Sequence, residues 1–358
     1  MVLTAPTALW VVPVSDLAGV ARHVLDVSRV GLPGWRLVFL APPGDLPGRL
    51  RELGASVVEG PFGPAHGLRA SVATLREAVR RERPAVVHSH LSYADIVVAL
   101  AVGRGPRLVT TEHGIARDDV VYHRSTTRAR VMAAAHTARL RRFAAAIAVS
   151  EATADAMVEK WHPRVRPTVI PNGVDVVATP APLAPRAPSG GVRVLSLARL
   201  SPEKRLPALV DGFAELRRTH PEARLTLAGT GPEEAALRAQ VSRLGLTETV
   251  SMPGFVDPAK AMAEHDVLAM LSVWENCSYA LLDAAGRGMG VVASDVGGNP
   301  EILPGTSLVS AEDPHAVAAA LAAQALDVTE RPGLDDWPSV SDMSARIAET
   351  YASIGAPR

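Results

Sequence analysis

Two carboxylates, Glu275 and Asp283, sit eight positions apart in the stretch WENCSYALLD, and the character of the chain changes between them. Glu275 follows an apolar run, DVLAMLSV, that has the composition of a buried strand. A carboxylate there is costly to desolvate without a partner. The short polar segment Asn276, Cys277 and Ser278 then leads into a helical pattern beginning near Tyr279. The free N–H groups and positive end of such a helix attract polar or anionic groups. Asp283 falls one to two turns into that helix, on the side of its opening loop. Two carboxylates so placed can accept hydrogen bonds from vicinal hydroxyls, as sugars and riboses offer. Cys277, the only cysteine of the chain, reads as a small loop residue and not as a nucleophile.

Cations occur at a second strand end. In LARLSPEKR, Arg199 follows an apolar run and Lys204 comes five residues later, with Pro202 and Glu203 between them where a turn into a helix is expected. The pair could clamp a diphosphate near a helix N-terminus, or form a solvated basic turn. The next apolar run ends in AGTGPEE. Gly229 and Gly231 there would let backbone approach a ligand closely, or simply make a tight turn before a helix opened by Pro232 and Glu233. The spacing is not GxGxxG, which leaves a nicotinamide dinucleotide without support. In the first half, His113 in TTEHG ends an apolar run. It could face a cleft or be a satisfied core histidine; His88 and His90 read as structural. No Asp-x-Asp lies near a strand end, so no phosphate-bridging metal is expected.

The elements that must position these residues follow from periodicity. Short apolar runs alternate with helical patterns, the signature of parallel α/β layers. Seven candidate strands lie in the first half: TALWVVPVS, RLVFLAP, ASVVEGP, AVVHSH, RLVTTEH, AAIAVS and PTVIPNGV. Six more lie in the second: VRVLSLARL, ARLTLAGTG, VSMPGF, DVLAMLSV, GVVASDVGG and TSLVS. Among the helical patterns, LRASVATLREAVRRE places Leu68, Val72, Leu75 and Val79 on one face. The Pro- and Ala-rich stretch VVATPAPLAPRAPSGGVR suits a linker. The 358 residues, with 47% apolar and 21% charged side chains, suit two soluble domains. The expected domains are 1–178, 179–330, and a helical tail 331–358 crossing back to the first. Ligands of such doubly wound sheets bind at the carboxyl ends of the strands, here in a cleft between the two domains.

The ordered motifs carry a family resemblance. The segment from about Leu195 to Leu303 resembles the donor-binding half of a GT-B glycosyltransferase of family 4. It shows Arg199-x4-Lys204, Gly229-Thr-Gly231, Gly254-Phe255-Val256, Glu275-x7-Asp283 and Gly297-Gly-Asn-Pro-Glu301 in the family's order. The first half matches more loosely, through AGVARHVLDVS, VVHSH, TTEHG, AVSEAT and VIPNGVD. The resemblance implies two Rossmann-like domains facing each other across a cleft, and transfer of a sugar from a nucleotide donor with retention, by front-face attack. It implies that Arg199 and Lys204 hold the diphosphate and that Glu275 contacts the donor sugar. Gly229, Gly231, Phe255, Val256, Asn276, Cys277 and Ser278 would complete the donor site, and His113 would stabilise the transition state. Asp283 stands where the family has a second Glu for the ribose, an arm shorter by one methylene. Gly19 and Arg117 are the acceptor-side residues, with Ala18-Gly19 in place of the more usual Gly-Gly. No cofactor or metal is implied; the donor would be UDP- or GDP-linked.

Two rival readings keep the architecture: a nucleotide-sugar epimerase, which needs no acceptor, and an inactive sugar-binding or scaffold protein. The zero net charge divides unevenly, with 22 Lys and Arg against 15 Asp and Glu in residues 1–180 and the reverse in the remainder. Six arginines, Arg124, Arg128, Arg130, Arg139, Arg141 and Arg142, line an alanine-rich helical pattern. They could rest on an anionic membrane if the acceptor is lipid-linked, or face water. No nucleic-acid partner is expected. The lone cysteine, the lack of a basic region or cleavage site in the N-terminal MVLTAPTALWVVPVS, and the lack of a bilayer-length apolar run point to the cytoplasm, with peripheral membrane contact an option.

Overall fold

In a computed structural model, residues 5–115, 134–175 and 191–356 are described. They form two compact units, one of residues 1–173 with 338–358 and the other of residues 174–337. Each is a Rossmann-like α/β layer, and all thirteen apolar runs become strands. In the first unit these are β1 (Thr7–Val11), β2 (Arg36–Ala41), β3 (Ser56–Glu59), β4 (Val86–His90), β5 (Arg107–Glu112), β6 (Ala145–Ala148) and β7 (Thr168–Val169). They pair in parallel in the order β3-β2-β1-β4-β5-β6-β7. In the second unit, β8 (Arg193–Leu197), β9 (Arg224–Ala228), β10 (Val250–Gly254), β11 (Val267–Met270), β12 (Gly290–Ser294) and β13 (Leu308–Val309) pair in the order β10-β9-β8-β11-β12-β13, also parallel. In both sheets the chain winds outward from one strand, then restarts beside it on the opposite side. The two reversals lie between β1 and β4 and between β8 and β11.

These strands are continuous apolar runs because helices cover both faces. β1, β4 and β12 are buried along almost their whole length. Few aromatics are available, and five of them (Trp10, Phe39, Phe62, Phe213 and Tyr351) are among the largest fully buried side chains. Tyr351 comes from the last helix, Val340–Ser353, whose Met343, Ile347 and Tyr351 join Val24 and Val27 in the core of the first unit. That helix starts from a capping box in which the Ser339 hydroxyl and the Asp342 carboxylate each bond the other's backbone N–H. The unit boundaries fall at 173/174 and 337/338, where composition places them at 178/179 and 330/331.

Periodicity marks one helix face imperfectly. In the helix Gly67–Glu82 the buried positions are Ser71, Leu75 and Ala78, with Val72 and Val79 half-buried beside them. Leu68 is 46% exposed, since it sits in the first turn, ahead of the buried stripe.

Candidate functional site

In the second unit the two predicted charge sites meet. Lys204 lies on a 3-10 turn, Pro202–Lys204, after β8, and Glu275 lies after β11. Although 71 positions apart, Lys204 Nζ donates to Glu275 Oε1 at 2.5 Å, with both side chains mostly shielded from water. A desolvated ion pair gains little net stability, so stability alone does not account for this one. The loops that carry them are tied together, Val273 N–H donating to the Glu203 carbonyl at 2.8 Å. Arg205, directly after Lys204, is held at φ +46, a left-handed conformation that costs a non-glycine residue energy and is frequent at functional sites. Arg199 is exposed on the same loop.

The glycine turns serve this arrangement by letting loops touch one another. A Cβ on Gly229, at φ +141, would stand 1.9 Å from the Ala198 carbonyl oxygen, one residue before Arg199. A Cβ on Gly231 would stand 2.3 Å from the Leu200 oxygen. Gly297, at φ +55, presses on the Glu275 carbonyl in the same way, and Gly298 N–H donates to that carbonyl at 3.0 Å. The close approach allowed by these glycines is thus to the chain's own backbone, which fixes Arg199 and Glu275.

On either side of Glu275, Trp274 Nε1 donates to Asn276 Oδ1 at 3.4 Å. Cys277 is half-buried against the apolar core. Ser278 caps the helix Tyr279–Gly286, its hydroxyl accepting from Leu281 N–H. Asp283, on the second turn, lies 3.7 Å from Arg287 Nη1, a neighbour that no motif singles out. Phe255 stands 86% exposed, while Val256 packs partly against the core.

The first unit gathers imidazoles around its own reversal point. His90 ends β4, His113 follows β5, and His23 comes from the helix Gly19–Val30. His90 Nδ1 and His113 Nε2 share a hydrogen bond of 3.0 Å, and the rings stack with centroids 5.3 Å apart. His23 meets His113 edge to face at 4.8 Å. Beneath them, Trp10 Nε1–H donates to the Tyr351 hydroxyl at 2.9 Å. That hydroxyl lies 2.6 Å from His88 Nδ1, and His88 Nε2 lies 2.8 Å from Thr111 Oγ1. Since Tyr351 accepts from Trp10, it donates to His88, which then donates to Thr111. Burial, with the neighbouring imidazoles, holds His88, His90 and His113 well below the usual histidine range. His23 is lowered to about 4 by burial, against which its bond to Asn172 works. All four are therefore neutral at pH 7. Leu91, directly after His90, is another non-glycine residue held at positive φ, +71.

The ligand atoms of His23, His90 and His113 lie within 4.8 Å of one another. A tetrahedral Zn²⁺ with Zn–N of about 2.05 Å needs nitrogens about 3.3 Å apart. The bond from His90 already occupies one nitrogen of His113, so the cluster fits a hydrogen-bonded set better than a metal cage. Of the acceptor-side candidates, Gly19 is the exposed first residue of its helix; Arg117 lies outside the described residues. Arg124, Arg128 and Arg130 lie outside them too. Arg139, read as one member of a basic surface, is buried beside Asp95 and Glu112. Arg142 donates to the Ala99 and Val102 carbonyls, and both Arg141 and Arg142 are exposed. Among the described residues, no helix is long and apolar enough to cross a membrane.

Residues 191–327 match the model of glycosyl transferases group 1, and residues 17–177 that of Glycosyltransferase Family 4. The chain belongs to glycosyltransferase family 4. Its relatives include a glycogen synthase of Mycobacterium tuberculosis, 30% identical over 276 residues. That match covers 75% of this chain and 64% of the synthase, so the chain spans less than two thirds of that relative's length. A phosphatidylinositol N-acetylglucosaminyltransferase polypeptide of Arabidopsis thaliana is 27% identical over 341 residues, 89% of this chain and 75% of that one. Among solved structures, Anabaena HepE in complex with UDP and glucose superposes with a TM-score of 0.81 at 22% identity, covering 97% and 100% of the two chains. Sucrose-phosphate synthase of Thermosynechococcus elongatus does so at 0.79 and 18%, covering 98% and 99%. Both share the fold.

Several participants were not singled out from the sequence: His23 and Asn172, although both fall within the quoted AGVARHVLDVS and VIPNGVD, Trp10 and Tyr351 around the imidazoles, and Arg287 beside Asp283. His23 offers the one usable signal, a histidine within the buried stripe Ala21, His23, Val24 and Val27.

Proposed function

We propose that the protein is a glycosyltransferase that moves a sugar from a nucleoside-diphosphate donor to an acceptor hydroxyl. The bond from the anomeric carbon to the diphosphate breaks, a bond to the acceptor oxygen forms with retention, and the acceptor proton leaves with the nucleotide phosphate. The observation that carries this reading is the Lys204–Glu275 pair at the reversal between β8 and β11, where doubly wound sheets bind ligands. Lys204 and Arg199 would neutralise the diphosphate. Glu275 would accept from sugar hydroxyls, and Asp283 from the ribose. The N–H groups of Asn276 to Ser278 at the opening of the helix Tyr279–Gly286 would add polar contacts. His113, neutral and half-buried, would donate a hydrogen bond to the reacting sugar, and Gly19 would lie on the acceptor side. No metal is needed for charge that two cations and a helix end can balance. A uridine donor is favoured by the likeness to a UDP-bound relative.

The test is thermal unfolding against UDP, GDP, ADP and TDP, with Lys204→Ala as control. A diphosphate at 100 times its dissociation constant adds about 2.7 kcal/mol of stability. A shift for one nucleotide, lost in the variant, is expected. No shift with any of them would move the scaffold reading ahead of the enzyme.

A further inference from the structure

From sequence His90 reads as structural, yet its ring nitrogens decide what His113 can do. The two imidazoles share one hydrogen bond, between His90 Nδ1 and His113 Nε2 at 3.0 Å, and the proton can sit on either nitrogen. The remaining nitrogen of His90 settles the choice. His90 Nε2 is buried and has no hydrogen-bond partner. If His113 were the donor, the single proton of neutral His90 would be on Nε2, a buried N–H with no acceptor. Such orphaned donors are rarer and costlier than a bare lone pair. The proton therefore sits on His90 Nδ1, and His113 accepts at Nε2. Neutral His113 then carries its own proton on Nδ1.

We propose that His90 is a positioning residue for the transferase reaction, fixing His113 as the Nδ1–H tautomer so that it meets substrate as a hydrogen-bond donor. This rests on the reading of His113 as a residue that touches the sugar. Further contacts hold the arrangement. His90 ends β4 opposite Thr111 of β5, two residues before His113, so the strand pairing sets the distance between the rings. Trp10 and His88 pack on His90 with ring centroids at 4.6 Å each. His23 packs edge to face on His113 and tilted against His90, and is itself oriented by Asn172 Oδ1 at 3.2 Å from its Nδ1. A neutral imidazole held in this way can polarise a sugar oxygen without exchanging a proton, a role known for neutral histidine elsewhere.

The experiment joins a tautomer measurement to kinetics. Long-range ¹H–¹⁵N correlation spectra of the uniformly labelled full chain, assigned with His113→Ala, should show His113 protonated at Nδ1 and bare at Nε2. With the nucleotide sugar identified by turnover, His90→Leu should lower kcat by about 10-fold to 100-fold, the cost of a displaced catalytic group, with KM for the donor little changed. His90→Asn, whose amide nitrogen stands near the position of Nδ1, should restore most of that loss. His90→Gln, whose amide nitrogen stands near Nε2, should not. If His90→Leu fails to fold, the Asn and Gln variants carry the comparison alone. A wild-type His113 protonated at Nε2 would overturn the proposal, as would folded His90 variants that turn over like wild type while His113→Ala is inactive. Full turnover by His113→Ala would instead overturn the role of His113 itself, and the spectra would still report the hydrogen bond.

Discussion

Acidification to pH 5 should selectively weaken the first unit, and His23 allows the size of the effect to be worked out. Its imidazole titrates near 6.5 when unfolded and near 4 when folded, so between these values the unfolded chain binds a proton that the folded unit refuses. Stability from this group is complete above pH 6.5 and is lost as pH falls toward 4, by up to about 1.4 kcal/mol per pH unit. From pH 7 to 5 the loss through His23 is about 2 kcal/mol. His88, His90 and His113 are lowered in the same direction and add with the same sign. Glu112 works the other way. Burial raises it to about 7 against the hydrogen bonds it accepts, so the folded unit gains a proton on acidification and recovers about 2 kcal/mol over the same interval. The His23 and Glu112 contributions therefore nearly offset each other, and the net loss on acidification is carried by His88, His90 and His113, which share the sign of His23. The assay is urea unfolding at several pH values between 7.5 and 5, followed by tryptophan fluorescence. Trp10, Trp35 and Trp161, three of the five tryptophans, report on the first unit. His23→Gln isolates one group and should flatten the stability–pH slope by about one proton's worth. A stability independent of pH across the range, or a variant with the wild-type slope, would refute the reasoning.

Other outcomes follow from single contacts. Gly229→Ala should destabilise the second unit by about 3 kcal/mol or more, through a positive φ and a collision with the Ala198 carbonyl, measured by urea unfolding. Arg139→Met leaves Asp95 and Glu112 buried without their guanidinium and should cost about 3–5 kcal/mol in the same assay. If Asp283 binds the ribose, Asp283→Asn should weaken UDP about tenfold or more by calorimetry, while Asp283→Glu, with the family's longer arm, binds at least as well as wild type.

All thirteen strands were visible as short apolar-rich runs; in central strands such as β1, β4 and β12, helices on both faces bury almost every position, and such runs survive without any tertiary knowledge. The Arg199-x4-Lys204 and Glu275-x7-Asp283 spacings were visible for a similar reason: loops and helix starts are local, and their chemistry is written in consecutive residues. The face of the helix Gly67–Glu82 was less legible, because a period of 3.6 marks a stripe but not which of its turns reaches the sheet. Leu68 was lost on that count.

What sequence alone determined, then, was the identity of the strands, the glycine turns and the ordered motifs of the family. Only the tertiary structure decided which charges meet. Strand order places β11 beside β8 and brings Glu275 to Lys204 across 71 positions, and it places β4 beside β5 and brings His90 to His113. It also turned Arg139 inward to two carboxylates, where a helical pattern suggested a surface. Periodicity reports which residues avoid water, a property of each segment. Pairing between distant segments depends on the order in which strands are laid into a sheet, and that order is set by the packing of the whole unit.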